Sequence, residues 1–292
     1  MQNIKYALRF IKHSFQLALE NEQLQKPWMA FSLGSLVLML AAAIPLTLVI
    51  YLIGLIPIGM VFIGLISTFL VFGLRVWGEI TALQTSQIFN MLIQAENDLA
   101  DPVPLMGLLN RSGKEVLNFR LTYPILRIYH LLRRSLSRNP VEEPAWLNSG
   151  GMVLPVIALE NLNLKEATGR VSEMVLRNLL RLRPSFIPVD LVSRMIEWTL
   201  LVIGIVLGFV NGIWIAQPEL TGSWRMVIGG LVGLVIAVIF SVIGIGFSTF
   251  IRACYHTSLY RWAENVATAQ DTPGTAQASP PAILGQVLGS DS

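Results

Sequence analysis

The chain has 292 residues, of which 53% are hydrophobic and only 13% charged, and its mean hydropathy is +0.61. Soluble domains carry about 25% charged residues, so the composition argues against a water-soluble enzyme fold and against a largely disordered chain. A multi-pass membrane protein is what remains. One cysteine rules out an internal disulfide and a cysteine-cluster metal site, and a net charge of +3 over this length fits loop asymmetry better than nucleic-acid binding.

Residues 1–27 read as an amphipathic N-terminal helix. Ile4, Leu8, Ile11 and Phe15 are interrupted by Lys5, Arg9 and Lys12, and no small-residue cleavage site follows an apolar run. No Asp, Glu, Lys or Arg stands between Lys26 and Arg75. That gap makes about 72 Å of helix, enough for two crossings of a hydrocarbon core of about 30 Å. Residues 28–78 therefore form a first transmembrane hairpin, Ala30–Tyr51 and Pro57–Trp77, broken at Gly54–Gly59 and kinked at Pro45.

Residues 79–193 carry amphipathic stretches broken by Pro and Gly. In the clearest, Glu115–Arg138, the basic residues Arg120, Arg127, His130, Arg134 and Arg138 fall near one face. Phe119, Tyr123, Leu126, Tyr129, Leu132 and Leu136 fall near the other, and Pro124 is expected to kink the helix or delay its start. Arg120, Arg127, Arg134 and Arg138 become candidates for lipid headgroup contact, against the plainer reading of solvated arginines on a packed helix. Gly150–Leu159 is apolar but too short to span and is interrupted by Pro155, which favours a re-entrant or interfacial segment.

Residues 194–263 form a second transmembrane hairpin around the uncharged runs between Glu197 and Glu219 and between Arg225 and Arg252. Small residues recur every fourth position at Gly204, Gly208 and Gly212, and again at Gly229, Gly233, Ala237 and Ser241. Small residues let membrane helices approach closely, so these two stripes are expected to face each other. From residue 264 to 292 the chain reads as a disordered tail with an apolar island at Pro280–Leu288.

The fold class is thus an all-α integral membrane protein with four transmembrane helices in two hairpins plus amphipathic interfacial helices. Lys and Arg concentrate in residues 1–27 and 75–197, which places both termini and the middle in the cytoplasm. The charges Arg75, Glu79, Glu197, Arg225 and Arg252 mark helix ends, where long side chains reach the interface, and Arg75 and Glu79 stand one turn apart as a possible pair. His13, His130 and His256 have no metal-ligand spacing. Cys254 and His256 offer a thiol near an imidazole without an evident third group. No catalytic, cofactor or metal residue is assigned.

Two segments together resemble a known family. Leu154-Pro155-Val156-Ile157-Ala158-Leu159-Glu160, followed by Leu164-Lys165-Glu166-Ala167 and Arg170, is one; Leu259-Tyr260-Arg261-Trp262-Ala263 is the other. They resemble an uncharacterised family of prokaryotic multi-pass membrane proteins (a domain of unknown function) and, more distantly, the membrane domains of some glycerophosphodiester phosphodiesterases. The resemblance implies a multi-pass fold in the prokaryotic cytoplasmic membrane and no particular activity. Capping of a helix start is the expected role of Glu160, which could also accept from Lys165 or Arg170.

The expected function is a non-enzymatic membrane scaffold or accessory subunit without a cofactor. Its partners would be membrane lipids and other integral membrane proteins, or its own copies, and not nucleic acid. The alternative is a transporter or channel for apolar or lipid-like substrates, with Asn211 and Ser241 as the first span residues to examine. A lipid-modifying enzyme using Arg120–Arg138 with Glu160 or His130 comes last.

Overall fold

The computed structural model describes residues 2–53, 57–94, 104–136, 144–182, 188–215 and 224–271, which are almost entirely helical and contain no strand. In chain order the described helices are α1 (Gln2–Glu20), α2 (Glu22–Ile53), α3 (Pro57–Gln94), α4 (Leu105–Leu136) and α5 (Ala145–Asn148). A 3₁₀ turn (Gly150–Met152) leads into α6 (Val153–Glu160), α7 (Leu164–Leu182), α8 (Val189–Ile215) and α9 (Trp224–Asp271). Residues 54–56, between α2 and α3, lie outside the described residues, while Pro57 takes the first position of α3, where its missing N–H goes unnoticed.

Four helices are long and apolar enough to cross a membrane, over Glu22–Leu46, Gly64–Gln94, Val189–Gly212 and Val232–Thr268. Only 17% of the first and third of these windows is buried. Such outward-facing apolar side chains are a severe liability in water and ordinary in lipid. The helices overrun the apolar runs: α2 begins at Glu22 and passes through Pro45, and α9 continues to Asp271. Residues 264–271, expected as the start of the tail, are therefore helical, and residues 272–292 lie outside the described residues.

The chain divides into two compact units. The first comprises Met1–Pro27, Glu79–Val192 and Phe250–Ser292; the second comprises Trp28–Gly78 and Ser193–Thr249. Residues 250–263, read from sequence as part of the second hairpin, group with the first unit.

The second unit is built on Phe31 from α2, Leu70 and Leu74 from α3, and Val238 and Ile245 from α9. Trp77 packs against this core, and its indole N–H is shared between the carbonyls of Ala30 and Phe31, each at 3.3 Å.

In the first unit α1 buries Ala7, Phe10, Ile11, Ser14 and Ala18; of the expected apolar line Ile11 is buried and Phe15 half-buried, while Ile4 and Leu8 are exposed. Phe10 meets Tyr255 edge-on at 5.5 Å, and Phe15 meets Phe250 at 6.0 Å. Every residue of α6 from Val153 to Ala158 is buried. These apolar side chains pack on protein, with α6 in contact with α4 and α7. Asn161 ends α6 in the left-handed region at φ 55°, a conformation Asn tolerates. Asn163 then caps α7: its side chain accepts from the Glu166 N–H at 2.9 Å, and the Glu166 carboxylate accepts from the Asn163 N–H at 3.2 Å. This reciprocal box takes the capping role expected of Glu160.

Candidate functional site

The motif residues behind the family resemblance meet in the first unit. Glu160, at the end of α6, accepts from the Tyr260 hydroxyl of α9 at 2.6 Å and from Arg170 Nε of α7 at 3.2 Å. Tyr260 is among the largest fully buried side chains. Burial works against the Arg170 guanidinium, but the hydrogen bond and charge of Glu160 outweigh it, so its pKa is held above the ordinary value. Beside this node Arg261 donates to Asn90 of α3 and to Glu264. One carboxylate thus ties the neighbouring helices α6 and α7 to α9, 100 residues away in sequence.

A second polar node holds α8 to α9. Asp190 Oδ1 lies 3.2 Å from Arg252 Nε and 2.9 Å from His256 Nε2. The imidazole packs close against Gly151, where an added Cβ would stand 2.1 Å from Nε2. Asp190 is the third group that the sequence did not reveal beside His256. Cys254, however, is fully buried, and a buried thiol of this kind is inert.

A cleft of about 530 Å³ opens between α4, α5 and the start of α7. Phe119 and Tyr123 stack at 5.2 Å, and Trp146 continues the wall at 6.1 Å from Tyr123. Its polar lining is largely used internally. Glu115 accepts from the Leu164 N–H at 3.0 Å, Thr168 donates to the Lys165 carbonyl at 2.9 Å, and Tyr123 donates to the Leu147 carbonyl at 3.4 Å. Asn163 is occupied by the capping box, and Lys165 is the exposed charged residue of the lining. The arrangement offers an apolar wall and no convergent reacting groups. Among the described residues no three His, Cys, Asp or Glu side chains gather as a metal-holding group.

In the second unit the glycines of α8 lie against those of α9. A Cβ on Gly208 would stand 2.3 Å from the Gly233 carbonyl oxygen, and one on Gly212 2.8 Å from that of Gly229. A Cβ on Gly204 would stand 2.5 Å from Phe240 Cβ and 3.2 Å from the Ala237 carbonyl oxygen. Ser241 donates to the Ala237 carbonyl and Asn211 to the Leu207 carbonyl, both at 2.8 Å, so these polar groups are spent within their own helices.

The charges at the helix ends find partners other than the expected Arg75–Glu79 pair. Arg75 binds Glu197 of α8, and Arg120 of α4 binds Glu79 at 3.3 Å. Glu79 and Glu197 are each 5% exposed, and a carboxylate that dry is costly without a cation beside it. The expected arginine face of α4 is therefore divided. Arg120 turns to Glu79, His130 is buried with its ring edge-on to Tyr129, and Arg127 stays exposed over the Tyr123 ring. The Arg134 side chain and all of Arg138 lie outside the described residues.

Tyr260→Phe tests the first node. Loss of a hydrogen bond to a charged acceptor costs about 1.5–3 kcal/mol, so thermal unfolding in detergent should shift accordingly. Arg170→Met should cost less, because Arg170 is 42% exposed and water replaces part of its role.

No protein-family model, curated protein or solved structure matches the chain.

Proposed function

We propose that the protein is a non-enzymatic integral membrane component, a scaffold or accessory subunit that packs against other membrane proteins or its own copies. In this reading the four apolar helices form two hairpins in a prokaryotic cytoplasmic membrane, with both termini on the cytoplasmic side. The observation that carries it is the use made of ionisable groups. Glu79, Glu160, Asp190 and Glu197 each bond to an arginine from another helix, and none of them lines the aromatic cleft. Carboxylates committed in this way act as ties between helices, not as groups that exchange protons with a substrate. The small-residue approach of α8 to α9 supports the same reading, because it spends backbone surface on tight packing.

The resemblance to uncharacterised multi-pass proteins fits as well, since its residues include the node Glu160, Arg170 and Tyr260. The test is native mass spectrometry of the protein extracted in gentle detergent. A defined assembly heavier than one chain is expected, and a monomer that carries no stable partner overturns the proposal.

A further inference from the structure

We infer that the outer face of α4 is an anchor that docks on an anionic lipid surface. The inference rests on α4 alone and stands whether or not the protein is a scaffold. Leu117, Leu121, Ile125, Ile128, Leu132 and Leu136 succeed one another at steps of four, four, three, four and four, a single ridge on a helix. They are 39–84% exposed. The opposite side of the same helix is the one committed to the first unit, through buried Leu108, Ser112, Val116 and Phe119. The ridge therefore points away from the unit that α4 belongs to, and Tyr129, also exposed, lies beside it.

The charge pattern selects the occupant. From residue 116 to 141 there is no Asp or Glu, and five arginines stand at 120, 127, 133, 134 and 138. Arg120 is bound to Glu79, but Arg127 and Arg133 are exposed and by helical register lie on the two flanks of the ridge. Arg127 is held in place, with its guanidinium 5.9 Å above the Tyr123 ring and donating to the Tyr123 hydroxyl at 3.1 Å. An apolar strip with cations on both sides and no anion matches a leaflet of negative headgroups over acyl chains. A protein groove would need its own carboxylates at both flanks, and a spanning placement is refused by Asn118, Arg120, Arg127 and Arg133 within the same helix. A helix of this kind lies in the interface plane, its apolar side sunk about 5–10 Å into the boundary of headgroup and chain.

The experiment uses the full chain carrying I128C, spin-labelled, in nanodiscs of phosphatidylcholine with or without phosphatidylglycerol. Cys254 is fully buried, so the label is directed to position 128. With phosphatidylglycerol, the nitroxide is expected to collide with oxygen and to be shielded from a water-soluble nickel chelate. R133Q and R127Q should each lower the ratio of docked to undocked helix about fivefold, at about 1 kcal/mol per arginine near an anionic surface. R133Q is the cleaner variant, because Arg133 is exposed whereas Arg127 touches Tyr123. Equal access of the chelate in both lipids overturns the inference. Shielding from both oxygen and chelate that ignores lipid charge also overturns it, in favour of a protein occupant.

Discussion

Gly208→Leu is expected to separate α8 from α9 and to lower the thermal midpoint in detergent sharply. The clash begins at Cβ, which would stand 2.3 Å from the Gly233 carbonyl oxygen and 3.1 Å from its carbon. The approach is reciprocal, since a Cβ on Gly233 would stand 2.6 Å from the Gly208 carbonyl oxygen. Both partners are backbone, so no side chain can rotate out of the way. One helix has to back off, and the contacts of Gly212 with Gly229 and of Gly204 with Ala237 go with it. In lipid nothing equivalent to the hydrophobic effect draws the helices together again, because acyl chains accept the exposed surface as readily as a neighbour does. Overpacking typically costs about 1–3 kcal/mol and sometimes more, and backbone-on-backbone contact belongs at the upper end. Gly64→Leu is the control, since a Cβ there meets nothing within 4 Å. A G208L protein that melts with G64L and the wild type would show that the two helices do not depend on this approach.

The helical class and the four apolar helices were legible because each is announced by a long run of one composition. Length and hydropathy are local properties, and they survive any tertiary arrangement. The polar nodes were not legible, because their members are far apart in sequence: Glu160 and Tyr260 are separated by 100 residues, and Arg75 and Glu197 by 122. Spacing rules saw Arg75 and Glu79 four apart as a pair, whereas in the fold each of the carboxylates Glu79 and Glu197 takes its arginine from another helix.

The capping box Asn163–Glu166 could have been found, since Asn followed by Glu three residues on is its signature. The capping role went instead to Glu160, which stands at a helix end and not at a start. In α4 the difficulty was of another kind. The helix is apolar on two opposite sides, one facing its own unit and one facing outward. A search for one apolar face therefore drifts from Phe119, which is buried, to Leu136, which is exposed. Two faces also explain why the arginines did not sort cleanly to one side: by helical register Arg120 and Arg127 lie on one border between the faces and Arg133 on the other.

Arg75→Met should cost about 3–5 kcal/mol, the usual result of removing one partner from a buried ion pair. The reason is what it leaves behind. The Glu197 side chain is 7% exposed, within a helix window apolar enough to cross a membrane, and Arg75 is the cation it binds. The reverse change, Glu197→Met, should cost less, since the Arg75 side chain is 28% exposed and can turn its guanidinium toward water or headgroups. The double variant R75M/E197M is the informative one. With both charges gone no desolvated group is stranded, and two flexible apolar side chains fill similar volume, so stability should return close to that of the wild type or exceed it. Thermal or denaturant unfolding of the four proteins in one detergent gives the coupling directly. If R75M/E197M is as unstable as R75M alone, the loss comes from packing around Arg75 and not from a stranded carboxylate. If R75M is neutral, Glu197 has a second source of neutralisation, and the pair does not tie α3 to α8.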